Sequence, residues 1–318
     1  MAMLGKPIHH ESLRVADCVD IFRVRGAACA ERVADRVIVE EPVTIMVDRV
    51  GSFTVMCTPS DLEALAVGFV YSEGMIHSAD DVLAICAKDD LPNVIGIEIR
   101  EPTQFGIARN LVVASSCGLC GVRNIQKMLS DVPACPHSLQ VPQQLLLDIA
   151  ENLRPMQTTF ALTGSSHAAA LFDRDGAILA FAEDIGRHNA LDKAIGKCLL
   201  MRQATTGCGV VLSGRVSLEM IAKAARAGVE LVVAISGVSS YAIAAAQRWN
   251  ITLCGFVRND RINIYTDPTR VRLTNKPRKK RGHSTFLATG NPGGPTTGEK
   301  VECPLFLASN NGRHAHAG

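Results

Sequence analysis

The chain has 318 residues, of which 47% are hydrophobic and 20% are charged, and its formal net charge is +2. This length supports one large domain or two ordinary domains with apolar cores. No apolar stretch reaches the length of a membrane span without charged or polar interruptions, and residues 1–14 contain no hydrophobic signal segment, so we expect a cytoplasmic protein with no membrane partner.

The first half of the chain is predicted to be strand-rich. A capping box at residues 60–63 predicts a helix that ends near Glu73. Alternating apolar residues predict a strand over residues 94–100, with Ile95, Ile97 and Ile99 on one face. Pro142 predicts the start of another helix.

The second half alternates between strand and helix patterns. This alternation predicts a mainly parallel sheet that is covered on both faces. Asp173 to Gly176 predict a hairpin turn, and Gly228 predicts the end of a helix. The predicted strands cover residues 160–163, 168–173, 177–183, 210–212, 231–235, 251–254 and 261–265, and the predicted helices cover residues 187–201, 217–227 and 240–248.

The C-terminal tail differs in composition from the rest of the chain. From Asn275 onward it is rich in Gly, Pro, Asn and Thr and carries a net charge of +5, which leaves −3 for the body. The body therefore has no basic surplus typical of nucleic-acid binding, and the tail is predicted to be disordered. The predicted parts are a flexible N-terminus at 1–19, an α+β region at 20–157, an α/β domain at 158–273 and a disordered tail at 274–318.

A single C-x-x-C motif, Cys117 to Cys120, follows the apolar run 111–114 and precedes a helix-compatible stretch. A cysteine at the start of a helix is stabilised as a thiolate, so the motif predicts sulfur or redox chemistry. A zinc site normally needs a second ligand pair, and Cys135 to His137 fit no standard spacing, so we predict no metal site. A thioredoxin-type dithiol and coincidence remain alternatives to a persulfide carrier. The other cysteines in or beside apolar runs are predicted to be buried core thiols: Cys57, Cys86, Cys198, Cys208 and Cys254.

Polar clusters follow several predicted strands. The densest is Glu183 to Lys193, in which Asp184, Arg187, His188 and Asn189 are expected to lie at the carboxyl edge of the sheet and to bind a ligand or transfer a proton. Asp184 or a ligand anion can serve the N-terminus of the helix that follows. His167 is expected near the same crevice. Two similar loops, 213–217 and 236–240, each join a strand to a helix, where free N–H groups attract anions, although simple helix capping also explains each loop.

Residues 255–261 follow the last predicted parallel strand. Arg258 and Arg261 can bind phosphate, and Asp260 can accept a hydrogen bond from a guanine edge. A solvated turn is the alternative, but the position at the same sheet edge favours ligand binding.

Together these stretches resemble the formate dehydrogenase accessory sulfurtransferase family, FdhD. The resemblance covers roughly residues 20–273 and is carried by residues 115–121, 183–193, 213–215 and 255–258 with 263–266. It implies a cysteine desulfurase as sulfur donor, a molybdenum bis(molybdopterin guanine dinucleotide) client cofactor, formate dehydrogenase as the enzyme served, and a homodimer. It also implies a three-layer α/β/α C-terminal domain like that of cytidine deaminases. Deaminase chemistry is not implied, because Ala190 stands where the catalytic Glu is required and residues 213–215 contain no thiol.

The resemblance assigns roles within these stretches. Cys117 is expected to carry the persulfide, and Cys120 to relay sulfur or resolve the intermediate. Arg187, His188 and Arg215 are expected to contribute to the same anion-binding pocket. A cofactor chaperone without sulfur transfer and a dithiol oxidoreductase are the alternative functions. The residues expected to hold the guanine dinucleotide are Phe256, Val257, Arg258, Asn259, Asp260 and Arg261.

Overall fold

The computed structural model describes residues 14–26, 29–88, 91–100, 111–113 and 132–273. Cys117, Cys120 and the tail 274–318 lie outside these residues. The described helices are α1 (Leu62–Ser72), α2 (Gln143–Met156), α3 (Thr158–Thr163), α4 (Arg187–Leu200), α5 (Leu218–Arg226) and α6 (Ser240–Arg248). The described strands are β1 (Ala16–Arg25), β2 (Cys29–Ile38), β3 (Glu41–Val47), β4 (Gly51–Cys57), β5 (Val82–Lys88), β6 (Leu91–Ile99), β7 (Leu111–Val113), β8 (Val141–Pro142), β9 (His167–Phe172), β10 (Ile178–Asp184), β11 (Gly209–Leu212), β12 (Leu231–Ala234), β13 (Thr252–Arg258), β14 (Arg261–Ile264) and β15 (Val271–Arg272).

The larger sheet has the strand order β10-β9-β11-β12-β13-β14 within the described part of the chain. Only the pairs β11–β12 and β12–β13 are parallel, so the prediction of a mainly parallel sheet is wrong. Short turns join β9 to β10 and β13 to β14, and such turns connect antiparallel neighbours. These two hairpins therefore place antiparallel pairs at both ends of a short parallel centre.

Both faces of this sheet are covered, as predicted. Successive residues of each central strand point to opposite faces, and each face has its own apolar core. One face packs against α4, α5 and α6 through Leu171, Val210 and Val232. The other packs against α2 through Ala170, Val211 and Val233. The sheet with its two helix layers forms an α/β/α arrangement.

Most predicted elements of the second half are confirmed within a few residues, but the strand predicted at 160–163 is wrong. These residues belong to the helix α3. The Glu183 carboxylate accepts hydrogen bonds from the backbone N–H groups of Thr159 and Phe160, both at 2.9 Å. These bonds satisfy donors that a helix start leaves free, so a side chain from β10 overrides the local strand preference of this stretch.

The smaller sheet has the order β5-β6-β3-β4-β7 among the described strands. Its inner face is predicted correctly at Ile95, Ile97 and Ile99, which are all buried. Helix α1 packs against this face and is buried on nearly every side. Its bounds match the prediction, but the capping box does not form, because Asp61 is the N-cap residue and its carboxylate lies 2.8 Å from Lys197 of α4.

Helices α1 and α4 cross at very short distance through two glycines. A Cβ atom on Gly68 would lie 1.8 Å from the backbone oxygen of Asp192, and one on Gly196 would lie 1.9 Å from that of Ala64. Each helix therefore accepts the backbone of the other at a position without a side chain. This contact links the smaller sheet, through α1, to the helix layer of the larger sheet.

The cysteine prediction is confirmed for four residues and wrong for one. Cys57, Cys198, Cys208 and Cys254 are buried, whereas Cys86 is exposed on β5. Burial raises the pKa of the Cys57 and Cys254 thiols to about 12 and that of Cys198 to about 11. These thiols are poor nucleophiles at neutral pH.

None of the helices in the described ranges is long and apolar enough to cross a membrane.

Candidate anion-binding site at the carboxyl edge of the larger sheet

The two similar Ser-Gly loops lie side by side at the carboxyl edge of the larger sheet. The loop after β11 donates from Val216 N to the oxygen of Gly237 in the loop after β12, and Ser239 N donates back to the oxygen of Val216, both at 3.0 Å. Ser213 accepts through its hydroxyl from Ala168 N at 2.8 Å, which brings the start of β9 to the same place. The structure thus assembles at one edge the loops that the sequence analysis expected there.

Gly214 forms the centre of a cationic cluster. A Cβ atom on this residue would lie 3.0 Å from His167 Nδ1 and 3.5 Å from Arg187 Cβ, so the glycine leaves room between these two side chains. The pKa of His167 is lowered by its burial and by the positive charges of Arg187 and Arg215. The contributions of Arg187 and Arg215 show that positive charge surrounds the imidazole, which favours an anionic ligand.

Two polar atoms near this cluster have unused hydrogen-bonding capacity. Arg187 Nε and Ser217 Oγ are shielded from solvent, and neither has a hydrogen-bond partner within the part of the chain that the structure describes. Ser217 is the N-cap residue of α5 but does not cap the helix with its side chain. Buried polar atoms are normally paired, so these two indicate a site that a ligand completes.

His188 turns toward the first turn of α5. Its Nε2 lies 2.8 Å from Glu219 Oε2, and this contact is the largest cause that lowers the pKa of the Glu219 carboxyl group. Glu219 was not among the residues predicted for the site. Its position could have indicated it, because it is an acidic residue in the first turn of a helix that starts at the candidate ligand edge.

The expectation that Asp184 and Asn189 face a ligand is wrong, because both side chains are buried and bonded within the protein; Asp184 instead contacts the start of α4, the alternative expected for it. The Asp184 side chain is fully buried. One carboxylate oxygen accepts from Gly186 N at 2.7 Å and the other from Thr58 N at 3.1 Å. Asn189 donates to Asp184 at 3.0 Å, and Lys193 lies 2.6 Å from it. Both oxygens are therefore used in contacts within the protein.

Residues 256–261 extend the carboxyl edge at the β13–β14 hairpin. Phe256 has a positive φ of 52°, and its N–H donates to the oxygen of Ser236 at 3.0 Å. Its ring lies under the guanidinium of Arg261, whose Cζ is 5.8 Å from the ring centroid, within the range of a cation–π contact. Val257 is fully buried, so its side chain packs in the core. The side chains that reach solvent are Arg258, Asn259, Asp260 and Arg261.

Strand β7 connects the smaller sheet to the segment with the dithiol motif. It pairs in parallel with β4, with Phe53 opposite Leu111 and Val55 opposite Val113. The carboxyl end of β4 is in turn hydrogen-bonded to Asp184 and Asn189 at the larger sheet. Cys117, four residues after Val113, thus follows a strand that runs toward the cationic edge.

Among the described residues, no group of three or more His, Cys, Asp or Glu side chains has the arrangement of a metal site.

Comparison with known proteins identifies the family. The profile of the FdhD/NarQ family matches residues 38–272. The sulfur carrier protein FdhD of Bordetella petrii is 36% identical over 278 residues, which cover 84% of this chain and 98% of that protein. The namesake from Saccharolobus solfataricus is 36% identical over 79% of this chain and 96% of its own length. A crystal structure described as a formate dehydrogenase accessory protein from Desulfotalea psychrophila shares the fold, with a TM-score of 0.66 and 24% identity over 81% of this chain and all of that one. The chain belongs to the FdhD/NarQ family.

Proposed function

We propose that this protein is a sulfur carrier that serves formate dehydrogenase. Cys117 accepts a persulfide sulfur from a cysteine desulfurase and gives it to a molybdenum bis(molybdopterin guanine dinucleotide) cofactor before that cofactor enters the enzyme. The observation that carries the proposal is the cationic carboxyl edge with unused buried donors, which is joined through β4 to the strand that precedes Cys117. The names of the relatives support the sulfur-carrier part.

The loading step requires a thiolate. The Cys117 thiolate attacks the terminal sulfur of the desulfurase persulfide, so that a new S–S bond forms as the donor S–S bond breaks. The desulfurase leaves as a thiolate, and no net oxidation takes place. Cys120 relays the sulfur or resolves the intermediate. The buried cysteines of the described core are unsuited to this step because burial raises their pKa values.

The cofactor is the substrate of the delivery step, and its guanine dinucleotide arms carry phosphates. Arg187 and Arg215, whose charges surround His167, offer guanidinium groups for charge-assisted hydrogen bonds to phosphate oxygens. Phe256 offers a ring, and Arg258 and Arg261 offer cationic side chains, for a guanine nucleotide, with Asn259 and Asp260 at the base edge. Val257 contributes through its backbone alone, because its side chain is buried.

Three further parts of the proposal rest on the resemblance. The protein is a cytoplasmic homodimer, which gives two equivalent sites for a cofactor with two guanine nucleotides. Its α/β/α part is related in fold to cytidine deaminases. Deaminase chemistry is absent from the proposal, since Ala190 is fully buried and offers no acid–base group.

Mass spectrometry of the protein after incubation with a desulfurase and cysteine tests the loading step. We expect a gain of one sulfur on the parent and none on Cys117→Ala, which also fails to restore formate dehydrogenase activity in a complementation assay. Cys86→Ser removes an exposed thiol elsewhere and serves as the control with normal loading. No sulfur gain on the parent, with cofactor still bound, would favour a chaperone; a reversible Cys117–Cys120 disulfide without persulfide would favour an oxidoreductase.

Calorimetry with GDP tests the cofactor edge. Each charge-assisted contact to phosphate is worth roughly 1.5–3 kcal/mol, so Arg258→Ala should weaken GDP binding by about tenfold or more. The same variant should still accept a persulfide on Cys117. If the parent binds no GDP, the assignment of this edge to the nucleotide is wrong.

A further inference from the structure

A buried set of hydrogen bonds joins the carboxyl end of β4 to the start of α4. We call it the clasp; it consists of Met56 and Thr58 on one side and Asp184, Asn189 and Lys193 on the other. Asn189 Nδ2 donates to the oxygen of Met56 at 2.8 Å, and Lys193 Nζ donates to that of Thr58 at 2.9 Å. Thr58 N donates to Asp184 at 3.1 Å, and the Thr58 hydroxyl accepts from the N–H of Ile185 at 3.1 Å.

The clasp contains a buried ion pair, which has a large desolvation cost. Asp184 and Lys193 are fully buried and lie 2.6 Å apart. Removing two charges from water offsets much of their attraction, and well-packed apolar residues often give equal or greater stability. The best-attested use of such a buried pair is to fix one register between packed elements, which apolar contacts define less sharply.

The two elements that the clasp joins lead to the two halves of the proposed function. On one side, β4 pairs in parallel with β7, which ends at Val113, four residues before Cys117. On the other side, α4 begins with Arg187 and His188 at the cationic edge. Within the described residues, the clasp therefore connects the neighbour of the strand that precedes the dithiol to the helix that starts at the candidate anion-binding edge.

We propose, resting on the function proposed above, that Asn189 is a positioning residue that holds these two regions in the geometry needed for sulfur delivery. The Asn189 amide contacts both sides of the clasp, because its Nδ2 donates to the Met56 oxygen of β4 and to Asp184 Oδ1 of β10. Removing it leaves the bonds of Thr58 to Asp184 and Lys193 in place. The fold is then retained while the link between α4 and β4 is weakened.

The test uses the full chain and separates loading, binding and delivery. Loading is measured as the persulfide mass gain, and binding as the affinity for GDP. The coupling between the two regions is measured as the decrease in the rate of Cys117 alkylation by iodoacetamide when GDP is bound. In Asn189→Ala, loading and GDP affinity are expected to equal those of the parent. The protection by GDP should disappear, and activation of formate dehydrogenase should fall about tenfold or more, since small misplacements of reacting groups have large effects on rate.

Two further variants keep the inference falsifiable. Thr58→Val removes the hydroxyl that accepts a hydrogen bond from the N–H of Ile185 and so weakens the clasp from its other side. This variant also provides the test if Asn189→Ala does not fold. Ser138→Ala removes a hydrogen bond to Glu230 at the opposite edge of the sheet and controls for lost stability. The inference would be overturned if both clasp variants kept the protection of Cys117 by GDP and the activation of formate dehydrogenase. Equal losses of both in Ser138→Ala would also overturn it, as would a parent protein in which bound GDP does not slow alkylation of Cys117. A parent that takes up neither persulfide nor GDP contradicts the proposed function itself, and the inference with it.

Discussion

The two edges of the larger sheet each hold a shielded arginine, but the surroundings of these arginines differ. At the amino edge, Arg270 is fully buried and each of its three guanidinium nitrogens donates a hydrogen bond. Its partners include Glu230 at 3.1 Å and Asp267 at 2.8 Å. At the carboxyl edge, Arg187 Nε is shielded but has no partner among the residues that the structure describes. The Arg270 guanidinium is fully paired within the protein, whereas Arg187 Nε leaves hydrogen-bonding capacity for a ligand.

This difference separates charges that are paired within the fold from charges that are available to a ligand. The Glu230 carboxylate accepts from Ser138 N and Leu139 N at 2.8 and 3.0 Å as well as from Arg270, and these bonds lower its pKa against the opposing effect of burial. His167 shows the reverse pattern, with a pKa lowered by burial and by neighbouring positive charges. Burial and the neighbouring positive charges disfavour the protonated form of His167, and a bound anion would oppose the effect of those charges.

The largest expected effect comes from breaking the amino-edge network. Glu230→Ala leaves Arg270 with a poorly compensated buried charge, and loss of one partner of such a pair costs about 3–5 kcal/mol in the free energy of unfolding. Urea denaturation measures this loss. Ser138→Ala, which removes one hydroxyl donor to the Glu230 carboxylate, should cost less, about 1.5–3 kcal/mol. Similar small losses for both variants would contradict the view that this edge is a structural ion-pair network.

The matching change at the carboxyl edge should affect binding and spare stability. Arg187→Ala removes a side chain with an unpaired donor, so the free energy of unfolding should change by no more than about 0.5 kcal/mol. GDP affinity should fall about tenfold or more, because a charge-assisted phosphate contact is lost. Arg272→Ala, an exposed arginine on β15, is the control and should alter neither quantity. Equal loss of GDP affinity in both variants would show that overall charge, and not this site, attracts the nucleotide.

The location of the ligand edge was predictable from the sequence, but the role of each residue was not. Alternating strands and helices place the loops at 213–217 and 236–240 on one edge by general topology, and the structure agrees. Asp184 was misassigned because the groups that use its oxygens include Thr58, which precedes it by 126 residues. The strand predicted at 160–163 failed for the same reason, since Glu183 reaches back to cap α3.

The roles of residues whose partners are distant in the sequence could therefore not be predicted from the local sequence pattern. Glu230 and Arg270 appeared in the sequence as ordinary charged residues, and only folding brings them together across a separation of 40 residues. Gly68 and Gly196 likewise looked like unfavourable residues inside helices. Their reason is the close crossing of α1 and α4, which no helix-level pattern encodes. The motif that depends on neighbours in sequence, Cys117 to Cys120, was visible at once.

The smallest expected effect is a change in the pKa of His167. Its folded-state pKa is lowered from the ordinary value of 6.5 by burial, Arg187 and Arg215, with a smaller contribution from His188 and an opposing one from Asp184. As pH falls below 6.5, the unfolded chain therefore binds a proton before the folded protein does, and His167 makes the protein less stable toward acid pH. A bound phosphate opposes the positive charges and should raise this pKa.

NMR titration of the histidine side chains with and without saturating GDP measures the effect. We expect an upward shift of the His167 pKa on binding. The ring signals of His137, which lies at the amino edge 3.3 Å from Asp267, serve as the control and should not respond to GDP. The His167→Gln variant should be less sensitive to acid than the parent when neither holds ligand, because the group that takes up the proton on unfolding is gone. An unchanged His167 pKa in the GDP complex would mean that the nucleotide phosphates bind away from Gly214, and that the unused donors at this edge serve another ligand.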